Sequence, residues 1–86
     1  MEIILRAQEE STRAKFNSSV VATRGFINEF GDEAFHIAIN SLEKIITERI
    51  NSDAGADYLQ VCEYAGVKFW VIDDGNAVTF LLPSEY

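Results

Sequence analysis

Val67-Lys68-Phe69-Trp70-Val71-Ile72-Asp73-Asp74-Gly75-Asn76-Ala77-Val78-Thr79-Phe80-Leu81-Leu82 is the stretch whose reading decides the fold. Asp74-Gly75 separates two apolar runs and supplies the residue types that a two-residue type I′ hairpin turn requires, because both central residues must reach positive φ. That turn pairs Asp73 with Asn76, Ile72 with Ala77, Val71 with Val78, Trp70 with Thr79 and Phe69 with Phe80. Side chains alternate across a strand, so Val67, Phe69, Val71, Val78, Phe80 and Leu82 share one face. Upstream, Ala65-Gly66 closes a second hairpin, which pairs Cys62 with Phe69 and Glu63 with Lys68. The last pair is an expected cross-strand ion pair. Asp57 to Leu82 therefore reads as three antiparallel strands, followed by the tail Pro83-Ser84-Glu85-Tyr86.

The wholly apolar face must be buried, and a helix just upstream is the available cover. Phe35, Ala38, Ile39, Leu42, Ile45, Ile46 and Ile50 recur at intervals of three and four, as on an amphipathic helix. Gly31-Asp32-Glu33 supplies its start, with Asp32 as N-cap, and Asn51-Ser52-Asp53-Ala54-Gly55 its stop. Its polar side carries His36, Asn40, Glu43, Lys44, Thr47 and Glu48. The opposite sheet face still carries Leu59, Val61, Trp70, Ile72 and Leu81, more apolar surface than a solvated face normally shows.

Before the helix, Val20-Val21-Ala22-Thr23 reads as a strand ending at Arg24-Gly25, where Gly25 marks a bulge or exit turn. Met1 to Asn17 carries both strand and helix signals and reads as a short strand at Glu2 to Arg6 followed by a polar turn or helical stretch; either conformation can lay Ile3, Leu5 and Phe16 over the spare sheet face. The expected fold is α+β: β-α-β-β-β with one long helix on a mainly antiparallel sheet, and room for an extra N-terminal strand.

The chain's 86 residues make one small domain, 1–86, with 48% hydrophobic and 24% charged residues. No apolar run approaches the roughly 20 residues that cross a bilayer. The start lacks a basic region followed by a long apolar one, so neither a secretory signal nor a membrane association is expected. The single cysteine, Cys62, excludes an internal disulfide and fits a reducing cytoplasm. Its strand position makes it a small buried residue rather than a nucleophile. The net charge of −7 is uneven, at +1 for residues 1–28 and −8 for residues 29–86. Direct nucleic-acid binding is disfavoured, because phosphate contacts need cations. A basic protein surface is the natural complement.

Nothing in the pattern amounts to a catalytic, cofactor or metal site. His36 and Glu43 are about two helical turns apart without a second His or Cys. Asp73 and Asp74 point in opposite directions, and Gly31 stands alone before a helix, outside any phosphate-loop pattern. Two binding features remain. Trp70, among Leu59, Val61, Ile72 and Leu81, has the composition of an interaction hot spot. An acidic rim comprises Asp32, Glu33, Glu43 and Glu48 on the helix, with Asp53, Asp57, Asp73, Asp74 and Glu85 in the loops and tail. Such a rim confers solubility or, more sharply, imitates phosphate.

The motifs Ala22-Thr23-Arg24-Gly25, Asp57-Tyr58-Leu59-Gln60-Val61, Phe69-Trp70-Val71-Ile72-Asp73-Asp74-Gly75 and Phe80-Leu81-Leu82-Pro83-Ser84-Glu85-Tyr86 resemble small proteins of phages and mobile elements of Gram-positive bacteria, a family of unknown function. The resemblance spans Val20 to Tyr86 and supplies no site residues. It implies a setting, a bacterial host cytoplasm, in which small acidic proteins inhibit host defence proteins such as CRISPR effectors. The expectation is a non-enzymatic interaction protein that docks the basic surface of a nucleic-acid enzyme. The alternative is a self-associating structural domain, a homodimer through the Trp70 face.

Overall fold

The computed structural model describes residues 1–86 as a five-stranded mixed sheet under one long helix, an α+β fold. Strands β3 (Leu59–Tyr64), β4 (Val67–Asp73) and β5 (Ala77–Leu81) form an antiparallel meander. The N-terminal strand β1 (Ile4–Leu5) pairs antiparallel with β3, and β2 (Ser19–Ala22) pairs parallel with β5. The spatial order is therefore β1-β3-β4-β5-β2, with β1 and β2 at the edges. No helix is long and apolar enough to cross a membrane.

Both hairpins form, the first with the expected turn and the second with a different one. Ala65 (φ 51°) and Gly66 (φ 81°) both take positive φ, so this is the type I′ turn, and it sets the expected pairs Cys62–Phe69 and Glu63–Lys68. At the other hairpin the register differs from the sequence reading by two residues: Val71 pairs with Phe80 and Asp73 with Val78. The cause is the Asp74 carboxylate, whose Oδ1 accepts the backbone N–H groups of Asn76 (2.8 Å) and Ala77 (2.9 Å). An aspartate that bonds the amides ahead of it sits before the turn, not at its centre. The centre becomes Gly75-Asn76, where Gly75 alone has positive φ (92°), and Asp74 N–H donates to the Ala77 carbonyl at 3.2 Å. A shift of two leaves every side chain on its expected face. Phe69, Val71, Val78 and Phe80 are accordingly all fully buried.

The entry to the helix is also remodelled. Asp32 is not an N-cap: a first short helix, α1 (Arg24–Phe30), begins seven residues before Gly31 and is capped by Thr23, whose Oγ1 accepts the Phe26 N–H at 3.2 Å. Gly25, expected as a bulge or exit turn, lies in its first turn. A 3₁₀ turn over Gly31–Glu33 then leads into α2 (Ala34–Ile45), which continues through a wider π turn, Ile46–Ile50, to Asn51. With α1 in place, Phe26 reaches the sheet. Its ring lies 5.4 Å from Phe69 and 5.5 Å from Phe80, while Phe30 packs edge-on against Phe69 at 5.6 Å.

Helix α2 packs on the sheet with part of its expected stripe, Ile45 in the core and Ala38, Leu42 and Ile50 against it, but is rotated about its axis from the orientation that the apolar spacing suggests. Ala34, Ile37, Ser41 and Ile45 are buried, and the Ser41 hydroxyl is satisfied by donating to the Ile37 carbonyl. Phe35, Ile39 and Ile46 are exposed instead.

Ile3, Leu5 and Phe16 do not cover the Trp70 face. Ile3 and Phe16 are buried in the same core as Phe69, and Leu5 packs against it. The connecting segment is tied to the loop before β3 by Gln8, which donates to the Gly55 carbonyl and accepts from Asp57 N–H, and by Ala14 N–H to the Ala56 carbonyl. Glu63 forms its ion pair with Arg6, not with Lys68, because β1 brings Arg6 alongside.

Phe26 joins α1, β4 and β5, and its truncation would leave a cavity among the rings of Phe30, Phe69 and Phe80. Phe26→Ala is expected to cost about 3–5 kcal/mol in urea unfolding, as for other fully buried aromatic truncations.

Candidate functional site

The expected acidic rim divides into two groups, because backbone amides without partners recruit the nearest carboxylates. Asp57 is buried; its Oδ1 accepts Tyr58 N–H at 2.8 Å, so it is not part of an exposed rim. Asp73 accepts Phe16 N–H and Gly75 N–H, both at 2.9 Å, and so fastens the N-terminal segment to the end of β4. Asp74 organises the turn, and its two amide bonds, first that of Ala77 and then that of Asn76, hold its carboxyl below the usual range.

Glu85 is the most heavily used of these groups. Its Oε1 accepts the Thr23 hydroxyl at 2.5 Å and Leu82 N–H at 2.9 Å, and its Oε2 accepts Gly25 N–H at 3.0 Å. The Thr23 bond first, then the Leu82 and Gly25 amides, holds this carboxyl down. The same contact accounts for Gly25, where a Cβ would meet the Glu85 carboxyl at 2.4 Å. The tail is thereby folded against the start of α1.

The second group remains outward. Asp32, Glu43 and Asp53 are exposed, and their carboxylates have no hydrogen bond or ion pair. Glu33 accepts the Tyr64 hydroxyl at 3.1 Å, a bond that pushes the phenol's pKa up. Glu48 lies 3.9 Å from Lys44. Two ion pairs in a chain with 14 acidic residues leave most of the negative charge unneutralised.

Trp70 is half-buried, opposite Leu81 and Val61 in the sheet, and Tyr86 packs edge-on against it with ring centroids 5.4 Å apart. The cover of this face thus includes the C-terminal tail. Burial pushes the Cys62 thiol up to about 12, so the thiol is inert at neutral pH. No group of three or more His, Cys, Asp or Glu is placed to hold a metal ion.

An exposed apolar surface lies elsewhere, between β2 and α2. Val20 is 48% exposed, and Phe35 and Ile39 on the adjoining flank of the helix are 69% and 40% exposed. Asp32 is the one charged side chain lining this groove. The sequence does carry a signal for it. Phe35, Ile39, Leu42 and Ile46 form one stripe, and Ala34, Ile37, Ser41 and Ile45 a second, together a wider apolar arc than one sheet contact can bury.

Compared with known protein families, curated proteins and solved structures, the chain matches none.

The fastening carboxylates make stability depend on pH in a definite direction. Glu85 is held below the ordinary glutamate value in the folded state, so its contribution is fully present above that ordinary value and lost as pH falls through the folded value. Glu85→Gln is expected to lower the urea midpoint at pH 7, with the gap to the parent chain closing as both are acidified. A gap that stayed constant with pH would show that the charge is not what fastens the tail.

Proposed function

We propose that this chain is a non-enzymatic protein-interaction module that docks its acidic surface onto the basic surface of a protein partner. The observation that carries this reading is the unneutralised charge, a net −7 with two ion pairs in the whole chain. Carboxylates on helix α2 and at its two ends, Asp32 before it, Glu43 on it and Asp53 after it, present negative charge at defined positions, as a phosphate backbone does. Complementary charge of this kind speeds encounter and selects partners, while well-packed contacts at the centre of an interface supply affinity.

The partner chemistry that fits is a cationic groove built to hold nucleic acid. In the setting that the resemblance to phage and mobile-element proteins implies, the host cytoplasm, such a partner is a bacterial defence nuclease, a CRISPR effector among them. The module would then act by occupying the nucleic-acid channel. A second reading, self-association, is favoured by a separate observation, the exposed apolar edge at β2.

Tagged protein passed over a bacterial lysate is expected to retain basic nucleic-acid-binding proteins, which added duplex DNA or high salt releases. A variant carrying Asp32→Asn, Glu43→Gln and Asp53→Asn is expected to keep its fold and to bind those proteins at least about tenfold more weakly, and with a shallower salt dependence. Retention indifferent to salt, to DNA and to these substitutions would contradict the reading.

A further inference from the structure

The two edges of the sheet are treated differently. Strand β1 is two residues long, and carbonyls beside it are already occupied: Ile3 O by the Lys44 ammonium and Arg6 O by the Arg49 guanidinium. Short length and cations are common ways of blunting a sheet edge. Strand β2, Ser19-Val20-Val21-Ala22, has no charge and no proline, and all four residues are exposed.

Its free hydrogen-bonding groups can be assigned. Thr23 N–H donates to the Phe80 carbonyl, so odd-numbered residues turn their backbone groups towards β5, and Val20 and Ala22 turn theirs to the open edge. Val20 and Ala22 lie beside the buried residues Val78 and Phe80, so their side chains face the helix side, where the apolar flank of Phe35 and Ile39 begins.

We infer that β2 is the seam of a homodimer, in which the strand pairs antiparallel with β2 of a second copy across a two-fold axis perpendicular to the sheet. Such an axis keeps both helices on the same side of one continuous sheet. Setting Val21 opposite its own counterpart places Val20 opposite Ala22 of the second copy, and Ala22 opposite its Val20. These two pairs use all four outward N–H groups and all four outward carbonyls in four hydrogen bonds. On the helix side the two apolar flanks then face one another across the seam.

Charge selects the second copy as occupant. Two chains of net charge −7 repel over most of their surfaces, but the segment from Phe16 to Asn28 holds no acidic residue and a single cation, Arg24. Strand β2 therefore brings no carboxylate of its own to the seam; the nearest acids are Asp32, at the end of the apolar flank, and Glu85, which is held by Thr23 and Gly25. A basic partner would find its complement on the outward helix face instead. The inference stands on backbone and apolar geometry and is independent of the acidic docking proposed above.

Sedimentation equilibrium over a concentration series, at low and high salt, tests it with the intact chain. The parent chain is expected to approach the mass of two chains as concentration rises, with no weakening by salt. Val20→Lys places a gatekeeper charge on the strand, and Phe35→Asp places one on a side chain that is 69% exposed and so not needed for folding. Each is expected to raise the dimer dissociation constant at least about tenfold. A parent chain that stays monomeric throughout would overturn the inference. So would a dimer that Phe35→Asp and Val20→Lys leave unchanged, since its interface would then lie elsewhere, or one that high salt dissolves.

Discussion

One α-helix is about 10–12 Å wide, whereas a five-stranded sheet spans about 19 Å from edge to edge, and the rest of this structure follows from that mismatch. Helix α2 buries Ala34, Ile37, Ser41 and Ile45 against the sheet, with Ile3, the residue before β1, in the same core. It does not extend over the far edge. The short helix α1 fills part of the gap by seating Phe26 against Phe69 and Phe80. Beyond it, Val20 remains uncovered and Phe35 projects from the flank of α2 into solvent. The apolar edge is what one long helix and one short helix leave over on a sheet of this width.

Charge is divided according to a second constraint, that backbone amides at turns and segment ends need acceptors. Asp57, Asp73, Asp74 and Glu85 meet that need, and the chain is closed at both ends by carboxylates: Asp73 holds Phe16, and Glu85 holds Thr23 and Gly25. The acids left over, Asp32, Glu43 and Asp53 most clearly, set the external field. Part of the −7 is therefore internal structure and part is surface display, and the two parts respond differently to substitution: the first changes stability, the second association.

The meander was legible because face assignment depends on parity alone. Phe69, Val71, Val78 and Phe80 reach the core even though Asp74-Gly75 does not form the expected turn, since an aspartate carboxylate that caps two amides moves the register by two and not by one. The Ala65-Gly66 turn, with weaker local chemistry, does form as read, because both flanking strands bury alternate residues against the same core. Thr23 as the start of α1 was less visible, because Val20 to Thr23 reads continuously as strand and the cap is completed by Glu85, sixty-two residues away. The docking surface was hardest to find. Periodicity marks Phe35, Ile39 and Ile46 as apolar but cannot say which of two adjoining stripes the sheet will take. Of the proposed acidic site, Asp32, Glu43 and Asp53 could be read directly from charge; Asp57 and Glu85 could not, since their partners come from distant segments.

The two surfaces act over different ranges. The unneutralised carboxylates act at a distance of about a Debye length, while the β2 edge acts only on contact and through backbone hydrogen bonds. The most direct measurement of whether that edge is open in one copy and closed by a second is residue-resolved amide hydrogen exchange in dilute and in concentrated protein. Val20 and Ala22 N–H groups should exchange freely when dilute and become protected when concentrated, with Val21 and Thr23 protected in both. Exchange at Val20 and Ala22 that is the same at both concentrations would contradict a β2 seam between copies.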